Sequence, residues 1–145
     1  MVDREKLDEL FGTVTDMAAM LLEKNGEFFP IGAVVRANGD IEHVAIHDGD
    51  EQPQSQTVIE NLTKLFRDQA AKGIIVASAV GFDATVRSPE TGAATDAIVT
   101  RIRAMGYARD VSLPYSLTVK GLFRKIRTVA QGQPSASEGA QDVFV

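Results

Sequence analysis

The sequence predicts an α+β domain: a five-stranded, mostly antiparallel sheet with helices packed on it in two or three layers, in the order α-β-β-α-β-β-β-α. Three observations carry that expectation. Apolar residues recur at the helical period in three separate stretches, the last of them short. Strand-like alternation fills most of the chain between them. Asn38-Gly39, the preferred centre of a tight hairpin, stands between two β-rich runs. At 145 residues the chain has the length of one domain with a core that needs neither metal nor disulfide.

The first helix is expected over residues 3–24. Asp3 is its N-cap, Leu7, Leu10, Phe11, Val14, Met17, Ala18 and Leu21 form its stripe, and Asn25-Gly26 ends it, because glycine tolerates the left-handed turn there. Two strands follow, Phe28–Arg36 and Ile41–His47. A two-residue type I′ turn at Asn38-Gly39 would set Val35 opposite Glu42, Ala33 opposite Val44 and Ile31 opposite Ile46. Gly32 would then face Ala45 and leave a shallow spot where a helix or another backbone can approach.

A polar loop, Asp48 to Pro53, leads to a second helix ending at Lys72, with Thr57 and Glu60 at capping-box spacing and a stripe of Val58, Ile59, Leu62, Leu65 and Phe66. Strands are expected at Ile74–Val86, Asp96–Met105 and Arg109–Leu117. Pro114 places the last of these at an edge or at a bulge, since proline cannot donate to a ladder. A short basic helix, Val119–Ala130, closes the single domain of residues 1–130. Residues 131–145, rich in Gly, Ser, Gln and Ala, read as a disordered tail.

Composition narrows the function classes. The absence of cysteine excludes disulfides, thiolate metal sites and thiol nucleophiles, and fits a reducing compartment. The charged N-terminus lacks the apolar run of a secretory leader, and no window approaches the ~20 apolar residues of a membrane span. The expected setting is cytoplasmic, without a membrane partner. Net charge is −5, unevenly spread: residues 1–60 hold 4 basic and 13 acidic side chains, while residues 61–145 hold 11 and 7. Such asymmetry marks a polar partner surface or head-to-tail self-association, unless the fold interleaves the halves.

No Gly-x-Ser-x-Gly, Ser-x-x-Lys, P-loop or dinucleotide fingerprint is present. His43 and His47 beside Asp48, Asp50 and Glu51 suggest a metal, but on a strand their Cα atoms stand about 13 Å apart, too far for one ion with ~2.1 Å bonds. No metal, cofactor or catalytic residue is therefore assigned. Gly32, His43, His47, Asp48, Asp50 and Glu51 remain the place for a small ligand or an unfamiliar active site. Arg101, Arg103, Arg109, Arg124 and Lys125, with Lys120 and Arg127, form a strip for an anionic partner. The pI of about 5.0 and the lack of Trp argue against nucleic acid. The leading expectation is a non-enzymatic binding or scaffold domain, a homodimer, with the stripe of the first helix lying against the domain's own sheet or against a second copy. The alternatives are a ligand-binding domain or enzyme at the histidines, and an acidic neutraliser of a basic protein.

Phe28-Phe29-Pro30-Ile31-Gly32-Ala33-Val34, Asn38-Gly39-Asp40 and Asp48-Gly49-Asp50-Glu51 resemble segments of small bacterial proteins of unknown function, over residues 1–118, and imply no activity. The element order is similar to that of roadblock/dynein-light-chain domains and profilin-like folds generally. That resemblance implies a dimerising scaffold with its last strand inside the sheet, and carries over no functional residue.

Overall fold

The structure, a computed structural model, describes residues 2–46, 54–88 and 90–145. Its elements are α1 (Arg4–Asn25), β1 (Ile31–Arg36), β2 (Ile41–Val44), α2 (Ser55–Ala71), β3 (Ile75–Arg87), β4 (Ala94–Ala104), β5 (Tyr107–Lys120), β6 (Ile126–Gln131) and β7 (Ser135–Glu138). The α+β class holds, but the described sheet has seven strands rather than five. Its order is β2-β1-β3-β4-β5-β6, with β7 also on β5, and every described pairing is antiparallel.

α1 begins and ends where its sequence says. The Asp3 carboxylate accepts from the Lys6 N–H at 2.9 Å, and Gly26, at φ 79°, donates to Leu22 O. α2 starts at Ser55 without a side-chain cap, so the Thr57–Glu60 capping box does not form.

The helices lie on opposite faces of the sheet, which makes three layers. Leu7, Leu10 and Val14 of α1 pack on Ala33, Val35, Ala77 and Ala79, and further along Ala18 and Leu22 pack on Ile98, Leu113 and Tyr115. Val58, Ile59, Leu62 and Phe66 of α2 cover Val34 and Val80 on the other side. Two glycines let the helices sit close. A Cβ at Gly32 would lie 2.7 Å from Phe66 Cζ, and one at Gly81 would collide with Val14 Cγ1. The small, outwardly unremarkable face of β3 (Ala77, Ala79, Gly81) is thus buried under α1.

The β1–β2 hairpin forms, but one residue out of the expected register. Its loop has three residues, Ala37 to Gly39. Gly39 at φ 94° donates to Arg36 O, and the Arg36 N–H is bonded to Asp40 O, both at 2.8 Å. Asn38 keeps negative φ, whereas a type I′ turn needs it positive, so the chain takes the three-residue alternative with a glycine bulge. Ala33 therefore pairs with His43, and Gly32 with Val44. A one-residue shift moves every β2 side chain to the other face.

The expected helix at 119–130 is instead the β5–β6 hairpin, in which Leu117 pairs with Val129 and Lys120 with Ile126. Gly121 and the β-branched Val119, Ile126, Thr128 and Val129 disfavour a helix here. β6 and β7 run along the same edge of β5, and the register steps by one residue between them. That step, at Gly132–Pro134, faces Pro114, whose carbonyl accepts from the Gly132 N–H at 2.8 Å. Pro114 is thus accommodated inside the sheet at an irregularity of its neighbour, where no N–H is required of it.

Residues 131–145, expected to be disordered, form β7 and then cross the α2 face. Val143 is buried beside Phe66 and Val80, and Phe144 packs against the same cluster. The Gln141 amide donates to the Ala104 and Tyr107 carbonyls. Val143, Phe144, the Gln141 amide and the Asp142 carboxylate, which pairs with Arg103, together dock the end of this polar stretch.

Candidate functional site

The histidine–acid constellation is not assembled by the described residues. Gly32 sits under Phe66 and Leu62, so its shallow spot is filled by α2. His43 is exposed and, through its pairing with Ala33, points to the opposite face. His47, Asp48, Asp50 and Glu51 lie outside the described residues. Among the described residues no three His, Asp or Glu side chains converge as a metal site.

The strip of cations is divided by the fold. Arg103, 2% exposed, is consumed internally. It reaches Asp110 Oδ1 and Asp142 Oδ1, each at 2.9 Å, and donates to the carbonyls of Ile102 and Arg109. Gly139 lies directly on this cluster, where a Cβ would come within 2.7 Å of both Arg103 Nη1 and Asp110 Oδ1. Arg101 lies on the α2 face, 5.0 Å over the Phe82 ring, beside a shallow groove with Lys64, Arg67, Glu60 and Asp142. Arg109 is on the α1 face, 5.6 Å over Tyr107. Only Arg124 and Lys125 share one surface, the turn of the β5–β6 hairpin.

That turn carries the two most exposed large apolar side chains among the described residues. It comprises Gly121 to Lys125, closing the Lys120–Ile126 pair. Gly121 has φ 112°, and a Cβ there would strike the Arg124 carbonyl, so the turn conformation requires glycine. Leu122 and Phe123 at its apex are 95% and 103% exposed, with Val119 and Ile126 half uncovered below them. Residues 111–137 contain no Asp or Glu and four cations, Lys120, Arg124, Lys125 and Arg127. Arg127 donates to Lys24 O at the C-terminal end of α1 and fixes the base of the hairpin. Lys120, Arg124 and Lys125 make no ion pair among the described residues. Sequence periodicity hid this apex, because Leu122, Phe123, Ile126 and Val129 imitate a buried helical stripe. The signal that reveals it is the glycine ahead of two adjacent large apolar residues.

At the other end of the sheet, Val2, Ala70, Ile75, Val76, Met105 and Phe144 line an almost wholly apolar pocket of about 340 Å³. Its size lies at the small end of ligand sites, roughly 300–1,000 Å³.

Asp83 of β3 and Tyr115 of β5 form a titratable pair across the sheet. The Tyr115 hydroxyl donates to Asp83 Oδ1 at 2.8 Å. Burial raises the Asp83 pKa above its usual 3.8; the Tyr115 hydrogen bond opposes the rise and Asp96 adds to it. Burial and the facing carboxylates also push the Tyr115 phenol upward. A carboxyl that binds its proton more tightly in the folded state contributes stability below about pH 3.8, and that contribution is lost as pH rises through the folded value. Because Asp83 keeps much of its exposure to solvent, Asp83→Asn, which still accepts from Tyr115, should be only slightly more stable than the parent at neutral pH. The advantage should shrink as the pH approaches 3.8. Urea midpoints at the two pH values check this, and an advantage that grows on acidification would contradict it. The pair lines none of the clefts described above, and its chemistry is that of a structural hydrogen bond.

No family model matches the chain, and neither a curated protein nor a solved structure matches it.

Proposed function

We propose that this chain is a non-enzymatic protein-binding domain of the cytosol, which meets its partner through the apex of the β5–β6 hairpin. The observation that carries the reading is the full exposure of adjacent Leu122 and Phe123 on a turn whose backbone is fixed by Gly121. Large apolar side chains held out in water cost solvation, and contiguous ones mark interaction sites. The cations around them favour an acidic partner surface, and their long side chains steer encounter rather than supply most of the affinity. Aromatic residues and arginine, here Phe123 beside Arg124, are enriched at protein interfaces. Homodimer formation is one form this binding takes. No described helix is long and apolar enough to cross a membrane.

The test is a photo-crosslinking residue at position 123, with position 138 on exposed β7 as control. A discrete polypeptide adduct from 123, lost when Lys120, Arg124 and Lys125 are changed to Glu, is the expected result. Adducts only to lipid or nucleic acid, or the same adducts from both positions, would overturn the reading.

A further inference from the structure

The geometry points to a second copy of this chain as the partner: the Leu122–Phe123 apex of one molecule inserts into the apolar pocket of Val2, Ala70, Ile75, Val76, Met105 and Phe144 on the next. The inference rests on the hairpin apex being a protein-binding element. It adds what that element binds and predicts an assembly that runs head to tail.

Knob and socket are complementary in chemistry and in place. The apex offers two large apolar side chains, and the pocket is lined by apolar ones with room of about 340 Å³. β5 connects the two ends, from Tyr107 next to Met105 up to Lys120 at the apex. Over its 14 residues it extends roughly 43 Å at about 3.3 Å per residue. A molecule therefore cannot fill its own pocket, and the contact has to be made between molecules.

Charge runs the same way. The apex carries Lys120, Arg124 and Lys125. The pocket lies at the C-terminal end of α2, the negative pole of that helix, where the C-cap cation Lys72 is turned to Asp68 at 3.0 Å. A second hollow shares Val2 and Val76 with the pocket and is lined by one acid and one base, Asp3 and Lys6, so it adds no net charge. The two halves of the chain interleave, because α1 packs across the sheet as far as β6 and Glu23 accepts from the Val129 N–H, so the positive charge is local to the hairpin turn and is not a property of one half. A contact between two different patches is heterologous, so it propagates into chains or closes into rings instead of stopping at a two-fold dimer. An interface made by one turn is small and belongs to the weak, concentration-dependent class, below roughly 1,200 Å².

Sedimentation of the full chain from micromolar to millimolar concentration tests this. The parent should show an average mass that climbs past the dimer. Leu122→Ser/Phe123→Ser removes the knob, and Met105→Lys places a cation on the exposed rim of the socket. Each variant alone should remain monomeric, and both are surface changes that leave the circular dichroism and melting of the fold unaltered. Mixed together, they keep one intact knob and one intact socket, and should form a heterodimer and nothing larger. A parent that stays monomeric at millimolar concentration, a knob variant that assembles like the parent, or a mixture without heterodimer would each overturn the inference. Crosslinks from position 123 to a different polypeptide, with a monomeric parent, would sink self-assembly while leaving the binding role of the apex standing.

Discussion

Arg103→Ala should destabilise the protein by about 3 kcal/mol and undock the chain after β7. The guanidinium is almost fully buried and gathers two carboxylates, Asp110 and Asp142, and two carbonyls. Its removal leaves two negative charges facing each other across the space it filled. Breaking a fully buried ion pair costs roughly 3–5 kcal/mol, and the side chains of Asp110 and Asp142 retain 31% and 29% of their exposure, which places this case at the lower end. Arg103→Lys should be intermediate, because an ammonium keeps the charge but not the fork that reaches both acids. The exposed pair Arg36–Glu42 supplies the contrast: Arg36→Ala should change stability by no more than about 1 kcal/mol. Urea unfolding gives the energies, and amide exchange at residues 139–145 reports the undocking. An Arg103→Ala protein with unchanged midpoint and protected C-terminal amides would show that the cluster holds nothing in place.

Phe66→Ala is expected to cost more, about 3–5 kcal/mol, since the ring is fully buried against a strand that glycine keeps thin. The same contact read from the other side gives an overpacking penalty: Gly32→Ala puts a methyl group 2.7 Å from Phe66 Cζ and should cost about 1–3 kcal/mol. The two sites touch, so their effects must couple. Gly32→Ala combined with Phe66→Leu should be less damaging than the two single changes together, because the smaller side chain vacates the space the methyl group needs. A strictly additive double variant would mean that α2 shifts as a body and that the seat at Gly32 is not specific.

Much of the architecture was legible where a local rule had no rival. The stripes of α1 and α2, the Asp3 cap and the Gly26 stop each follow from spacing and one residue type. The hairpin at Asn38-Gly39 was legible as a hairpin, but its register depended on whether Asn38 adopts positive φ, which composition does not decide. That single degree of freedom sent His43 to the opposite face and dissolved the proposed pocket with Gly32. The stretch after β5 failed for a different reason: four apolar residues in 122–129 satisfy helical spacing although three of them are exposed to water. The terminal segment was illegible because β7, exposed along its whole length, has no alternation to read. The Arg103 cluster draws its partners from 7 and 39 residues away, and only the folded sheet brings them together.

The outer rims of the sheet have a further consequence. One rim is β2, four residues long, and the other is β6 and β7, six and four residues, parted by Gly132-Gln133-Pro134. An invading extended peptide would find only a few consecutive backbone donors and acceptors on either side before meeting a proline or the end of the strand. Such interrupted borders deny a template to amyloid-type stacking. The molecule can therefore carry a sticky apex at high concentration without also offering a seam along which copies could zip irreversibly.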